Sequence, residues 1–247
     1  MTVLDELVGE VEADPGSIGL ILHGSRAAGV HTPDSDFDLV RVLTDDAFDE
    51  RRARGELREK RPGPPGADVV FLSRSRLRER AESTDGYTAM FVTAQVVVDT
   101  HDEVEALLAA IVEAAGLREQ AELDEHYDGY LNTFVRSLKA WRRGDELGGR
   151  LQAAHSALCL IRLLFAAEGK LAPYHDQLRR PLAELERAQG WEEGFLRDAL
   201  TRLVATGDPT FQQELELRVE ALFESRGIAH QWGPEDDLQR LKDHDFR

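Results

Sequence analysis

Gly24-Ser25-Arg26-Ala27-Ala28-Gly29 follows the apolar run Ser17-Ile18-Gly19-Leu20-Ile21-Leu22-His23 and leads, through a loop over residues 30–35, into Asp36-Phe37-Asp38-Leu39. The apolar run is too short for a helix and rich in Ile and Leu, which predicts a buried strand. Gly24 then lets the backbone turn tightly and approach a phosphate without a Cβ in the way. The Ser25 hydroxyl and neighbouring backbone N–H groups supply donors for phosphate oxygens, so Gly24 and Ser25 form a candidate phosphate seat. Arg26 is a further candidate for phosphate contact, against the alternative of a solvated arginine. Pro33, Asp34 and Ser35 mark the loop. Phe37, Leu39, Val40 and Val42 make the next strand, on which residues two apart point to one face. Asp36 and Asp38 therefore converge, and paired carboxylates suit a hard cation such as Mg²⁺ that prefers oxygen ligands and sits beside a triphosphate.

An in-line displacement assisted by two metal ions about 3.5–4 Å apart calls for a third carboxylate. Asp68 is the candidate, because it opens the apolar, β-branched stretch Val69-Val70-Phe71-Leu72 and joins the same site if that strand lies beside the one carrying Asp38. Asp34 shares the parity of the pair but follows Pro33 in a loop, outside the metal shell. Elsewhere in this half, residues 45–61 read as charged and partly helical, and residues 62–66 as an exposed Pro/Gly loop. Ser73 or Ser75 caps a following helix. A fourth strand falls at Gln95-Val96-Val97-Val98-Asp99, and residues 102–115 form a helix with Val104, Leu107, Leu108 and Ile111 on one face.

Beyond Gly116 the windows to residue 226 are helical, which divides the chain into a catalytic domain over residues 1–116 and a helical substrate-binding or closing domain over 117–247. Leu151, Ala154, Leu158, Ile161 and Phe165 recur at steps of three and four and read as a core-facing stripe of a helix ended by Gly169. Helices are expected near 176–189, 191–206 and 210–226, and the tail after Gly227 carries no clear assignment. Lys139, with Arg142 and Arg143, is a candidate for reaching the triphosphate from this half, although basic residues are expected at any helix C-terminus. Glu125, Asp128 and Glu146 are candidate general bases for the acceptor hydroxyl.

Gly-Ser, a ten-residue spacer, Asp-hydrophobic-Asp-hydrophobic and a later strand carboxylate resemble the nucleotidyltransferase superfamily typified by DNA polymerase β. The stretches at residues 24–29 and 34–39 are especially similar to its small-molecule branch, which includes aminoglycoside nucleotidyltransferases of antibiotic resistance. The resemblance covers residues 17 to about 100 and the helical half only in outline. It implies an α+β fold, a short mixed sheet flanked by helices and followed by an all-α bundle. It further implies a catalytic and metal set of Asp36, Asp38 and Asp68, Mg²⁺ as two ions, and a nucleoside triphosphate, ATP first, as co-substrate.

Composition bounds what such an enzyme acts on. Thirty Lys and Arg against 47 Asp and Glu give a formal charge of −17, which repels a long polyanion and draws in cations. A small, hydroxylated, cationic acceptor such as an aminoglycoside is the expectation; modification of a protein or a tRNA is the alternative. A different class of activity is suggested by Arg150-x4-His155, which fits helical ribonuclease domains, against which the net charge stands. No apolar run approaches the roughly 20 residues of a membrane span. The N-terminus lacks a secretory signal and the single cysteine excludes an intrachain disulfide, so a cytoplasmic enzyme is expected. Pairing into a homodimer through the helical half is left open.

Overall fold

The computed structural model describes residues 2–82, 86–233 and 237–246. The chain separates into two compact units, Met1–Leu117 with Pro173–Arg180, and Arg118–Ala172 with Pro181–Arg247.

The first unit is built on a five-stranded sheet in the order β3-β4-β2-β1-β5. β1 (Ser17–His23) runs antiparallel to both β2 (Phe37–Leu43) and β5 (Gln95–Asp99). β4 (Ala67–Ser73) lies parallel to β2, and β3 (Arg58–Arg61) closes the edge antiparallel to β4. Both faces of the sheet are covered, which is why β1, β2 and β4 are largely apolar. On one face Leu20, Leu39, Leu43, Val69 and Phe71 pack with Leu7 and Val11 of α1 (Val3–Ala13) and Phe48 of α3 (Asp45–Ala53). On the other, Ile18, Ile21, Val40 and Val42 pack with Leu77 of α4 (Arg74–Glu79) and with Val104, Leu108 and Ile111 of α5 (Val104–Ala121). The four-residue α2 (Gly24–Ala27) follows β1 directly. Ser73 caps α4, its hydroxyl accepting from the Arg76 N–H at 3.2 Å.

The second unit is helical. α6 (Leu123–Arg142) and α7 (Glu146–Ala166) form its central hairpin, followed by α8 (Arg179–Gln189), α9 (Phe195–Thr206), α10 (Pro209–Ser225) and the short α11 (Leu238–Lys242). The expected α+β class holds: a mixed sheet with helices, then a helical region. Among the described residues no helix is long and apolar enough to cross a membrane.

Three features depart from the sequence reading. Arg58-Glu59-Lys60-Arg61 is a strand, although no residue in it is apolar; it is an edge strand, where charge discourages pairing with another chain. α1 was not anticipated, yet Thr2 and Asp5 cap it reciprocally. The α7 stripe is core only at its C-terminal end. Ile161 and Phe165 are buried, but Leu151 and Leu158 are 62% and 44% exposed, because the face packed inward is that of Ala153, Ala157, Leu160 and Leu164. Small residues there let α6 approach closely, Ser137 Oγ donating to the Gly149 carbonyl at 2.7 Å.

Candidate active site

The register of the sheet sets the candidate carboxylates side by side. His23 on β1 faces Asp38 on β2, Asp38 faces Asp68 on β4, and Asp68 faces Lys60 on β3. Directly opposed residues share a face, so imidazole, two carboxylates and an ammonium form one row across four strands. By alternation Asp38 lies on the face of Val40 and Val42, and Asp68 on that of Val70 and Leu72. The row sits where the apolar part of that face ends. Asp36 falls immediately before β2 and not within it; its Oδ1 accepts from the Gly66 N–H at 3.1 Å, and the Phe37 N–H donates to the Gly66 carbonyl at 2.9 Å. The loop before β4 thereby anchors Asp36 beside the row.

Gly24 turns at φ +68°, and a Cβ built on it would stand 2.3 Å from Asp38 Oδ2. The turn after β1 thus lies flat against this carboxylate, and glycine is required both for the backbone conformation and for the space. Ser25 follows on the same turn, its carbonyl accepting from the Val30 N–H at 2.9 Å. Arg26 is directed to the loop: its Nε and Nη2 donate to the Ser35 carbonyl at 2.8 and 2.6 Å, and its guanidinium lies 4.1 Å from the Phe37 ring centroid.

Electrostatically the row is uneven. Burial raises the Asp38 carboxyl, opposed by His23 and reinforced by the negative charges of Asp68 and Asp36. Burial likewise depresses the His23 imidazole, against the pull of Asp38 and Asp68. Asp68 is lowered, chiefly by Arg58. Arg58 Nε donates to Asp68 Oδ1 at 2.7 Å and its Nη2 to Oδ2, while Lys60 Nζ stands 3.7 Å from Oδ2. None of His23, Arg58 and Lys60 stands out in the sequence as a site residue; their places follow from strand register, which no local signal announces.

The second unit holds the other residues singled out by sequence. Lys139 Nζ pairs with Asp237 at 2.6 Å, and Asp128 Oδ1 accepts from Trp232 Nε1 at 2.7 Å. Arg150 pairs with Glu146 one turn away at 2.5 Å, and His155 lies five residues on, roughly 140° around the helix, which does not join the two in one site. This unit also carries a set that could hold a metal. Ligand atoms of Glu119, Glu122 and His126 lie within 4.8 Å of one another. Arg162 already occupies it: its Nε and Nη2 donate to Glu119 at 2.7 and 2.8 Å. Burial would raise Glu119, but His126 and Arg162 hold it at about 2. Glu119 is therefore already held by Arg162.

Residues 4–87 match the family model of the nucleotidyltransferase domain. No curated protein matches the chain. A nucleotidyltransferase-like protein from Exiguobacterium sibiricum is similar at 15% identity and a TM-score of 0.37, over 96% of this chain and 85% of that one. The matched segment contains β1 to β4 and all the residues of the row, and this similarity supports an enzyme of the transferase class.

Proposed function

We propose that Asp36, Asp38 and Asp68 are the metal-binding and catalytic carboxylates of a Mg²⁺-dependent transfer of a nucleoside monophosphate from a nucleoside triphosphate, ATP first, to the hydroxyl of a small cationic acceptor. The observation that carries this reading is the register pairing of Asp38 with Asp68, inside a segment that matches the nucleotidyltransferase domain.

The residues suit such a metal. All three ligands are oxygen donors, as Mg²⁺ requires. Burial and two neighbouring negative charges strain the ionised form of Asp38, a cost that a divalent cation relieves. When bound, Mg²⁺ supplies Lewis-acid stabilisation of charge on the transferring phosphoryl group and the leaving pyrophosphate. Gly24 and Ser25 seat phosphate oxygens, since the positive-φ turn brings backbone directly against Asp38. Arg26 braces the loop that delivers Asp36, through the Ser35 carbonyl, which makes it a positioning residue for the seat. Lys139, the other cation considered for phosphate, is paired with Asp237.

For the acceptor, the formal charge of −17 favours a cation such as an aminoglycoside over tRNA. The test is transfer from α-labelled ATP, GTP, CTP and UTP to an aminoglycoside panel, to total cell protein and to bulk tRNA, at low and moderate salt. Label on a small cationic acceptor is expected. Label confined to tRNA or protein overturns the acceptor assignment.

A further inference from the structure

Arg58 and Lys60 stand on the edge strand of the sheet, two positions apart and on one face, and both are turned onto Asp68. Two cations thus face a single carboxylate at the end of the row. Arg58 takes both oxygens of Asp68, Nε on Oδ1 and Nη2 on Oδ2. A divalent ion that takes either oxygen therefore competes with Arg58 and Lys60 for Asp68.

Resting on the carboxylate reading above, we infer that Arg58 and Lys60 are the polyphosphate-binding cations of this enzyme, stored on Asp68 and handed to the nucleoside triphosphate when a divalent ion takes that carboxylate. The pair is placed for exchange. The Arg58 and Lys60 side chains are 61% and 74% exposed, whereas Asp68 is 17% exposed. An exposed ion pair of this kind adds little to folding, so its release leaves the sheet intact. The cations stay within one strand of Asp68 and two of Asp38, beside the place where the metal-bound phosphates must lie. Other basic side chains nearby are committed elsewhere: Arg26 to the Ser35 carbonyl, Arg61 to Glu10 and Glu59, Arg41 to Asp14 and Glu10. In a chain with an excess of acid, Arg58 and Lys60 are the cations whose partner belongs to the site itself. The arrangement also couples the two ligands. Metal binding frees the cations for phosphate, and phosphate binding keeps Arg58 off Asp68, so each favours the other by linkage.

The experiment is calorimetric titration of the full chain, wild type and Arg58→Met, Lys60→Met and Asp38→Asn, first with Mn²⁺ alone and then with ATP and AMP at saturating Mn²⁺. Arg58→Met is expected to bind Mn²⁺ about two- to fivefold more tightly than wild type, the scale of one exposed ion pair. The same variant is expected to bind ATP about tenfold more weakly, the scale of a lost charge-assisted hydrogen bond, with a smaller loss for AMP. Lys60→Met moves both affinities in the same directions by less. Circular dichroism checks that the exposed-site variants fold. If Mn²⁺ binding depends on Asp38 but Arg58→Met binds Mn²⁺ no more tightly, or ATP no more weakly, than wild type, the inference falls and the carboxylate reading stands. Mn²⁺ binding indifferent to Asp38→Asn overturns the carboxylate reading itself.

Discussion

Asp38 and Asp68 are direct register partners across the parallel β2–β4 pair, and Asp38 Oδ2 lies against the backbone of Gly24. A carboxylate on one strand is thereby fixed between a carboxylate on the next and a glycine turn on the one before. The site depends on this three-part contact.

Gly24→Ala tests the turn. The added Cβ would meet Asp38 Oδ2 at 2.3 Å and the residue would be held at φ +68°. We predict a stability loss of about 1–3 kcal/mol from backbone strain, together with loss of nucleotidyl transfer because Asp38 is displaced. Denaturant melts and transfer assays on the same preparation check this. A variant that melts like wild type and retains its turnover contradicts it.

Asp68→Asn separates binding from turnover. Gly24, Ser25, Asp36 and Asp38 remain to hold the metal–nucleotide, so its affinity should change little. Turnover should fall by roughly 10²–10³, the scale of losing one preorganised charge-stabilising group. Equal losses in affinity and turnover would place Asp68 on the nucleotide-bound metal or in a structural role instead.

The second unit carries a pH-sensitive group. Glu216 is fully buried, and burial pushes its carboxyl up to about 7 against the pull of Lys242, whose Nζ stands 3.6 Å away. The unfolded chain titrates this group near 4.5. Between those values the folded state binds more protons than the unfolded one, so stability falls as pH rises through the window and levels off above it. Glu216→Gln removes this dependence. Its stability relative to wild type should therefore climb from pH 5 to pH 8, by up to roughly 3 kcal/mol. Urea melts at four pH values across that range measure it, and a difference that stays flat or declines refutes the assignment.

The cluster of Glu119, Glu122 and His126 gives a separate test. Because Arg162 already neutralises Glu119, Glu119→Gln should lower stability by about 1–3 kcal/mol while leaving the Mn²⁺-dependent rise in Tm unchanged. The rise should instead vanish in Asp38→Asn. A shift that survives Asp38→Asn and disappears only when Glu119→Gln is added would put the cation in the helical unit.

Much of this architecture was legible from local pattern. β1, β2, β4 and β5 were visible because strands covered on both faces are apolar and β-branched, and Asp36, Asp38 and Asp68 stood out as carboxylates interrupting or opening such strands. β3 was not legible, since Arg58-Glu59-Lys60-Arg61 offers no apolar alternation and becomes a strand only by pairing with β4. With β3 went Arg58 and Lys60. His23 was read as the end of an apolar run; its place opposite Asp38 depends on register, a long-range property. On α7 the periodicity was genuine, but Ala153, Ala157 and Leu160 offered a competing stripe, and packing against α6 selected that one.

Nucleotidyl transfer by Asp36 and Asp38 is tested most directly by following transfer of α-labelled nucleoside monophosphate at saturating Mg²⁺ by wild type, Asp36→Ala and Asp38→Ala, with the fold of each checked by circular dichroism. Transfer by wild type is expected, with a loss of at least about 10³-fold in both variants and folding preserved, since removing either carboxylate relieves repulsion among those that remain. Near-wild-type transfer by either folded variant would contradict it.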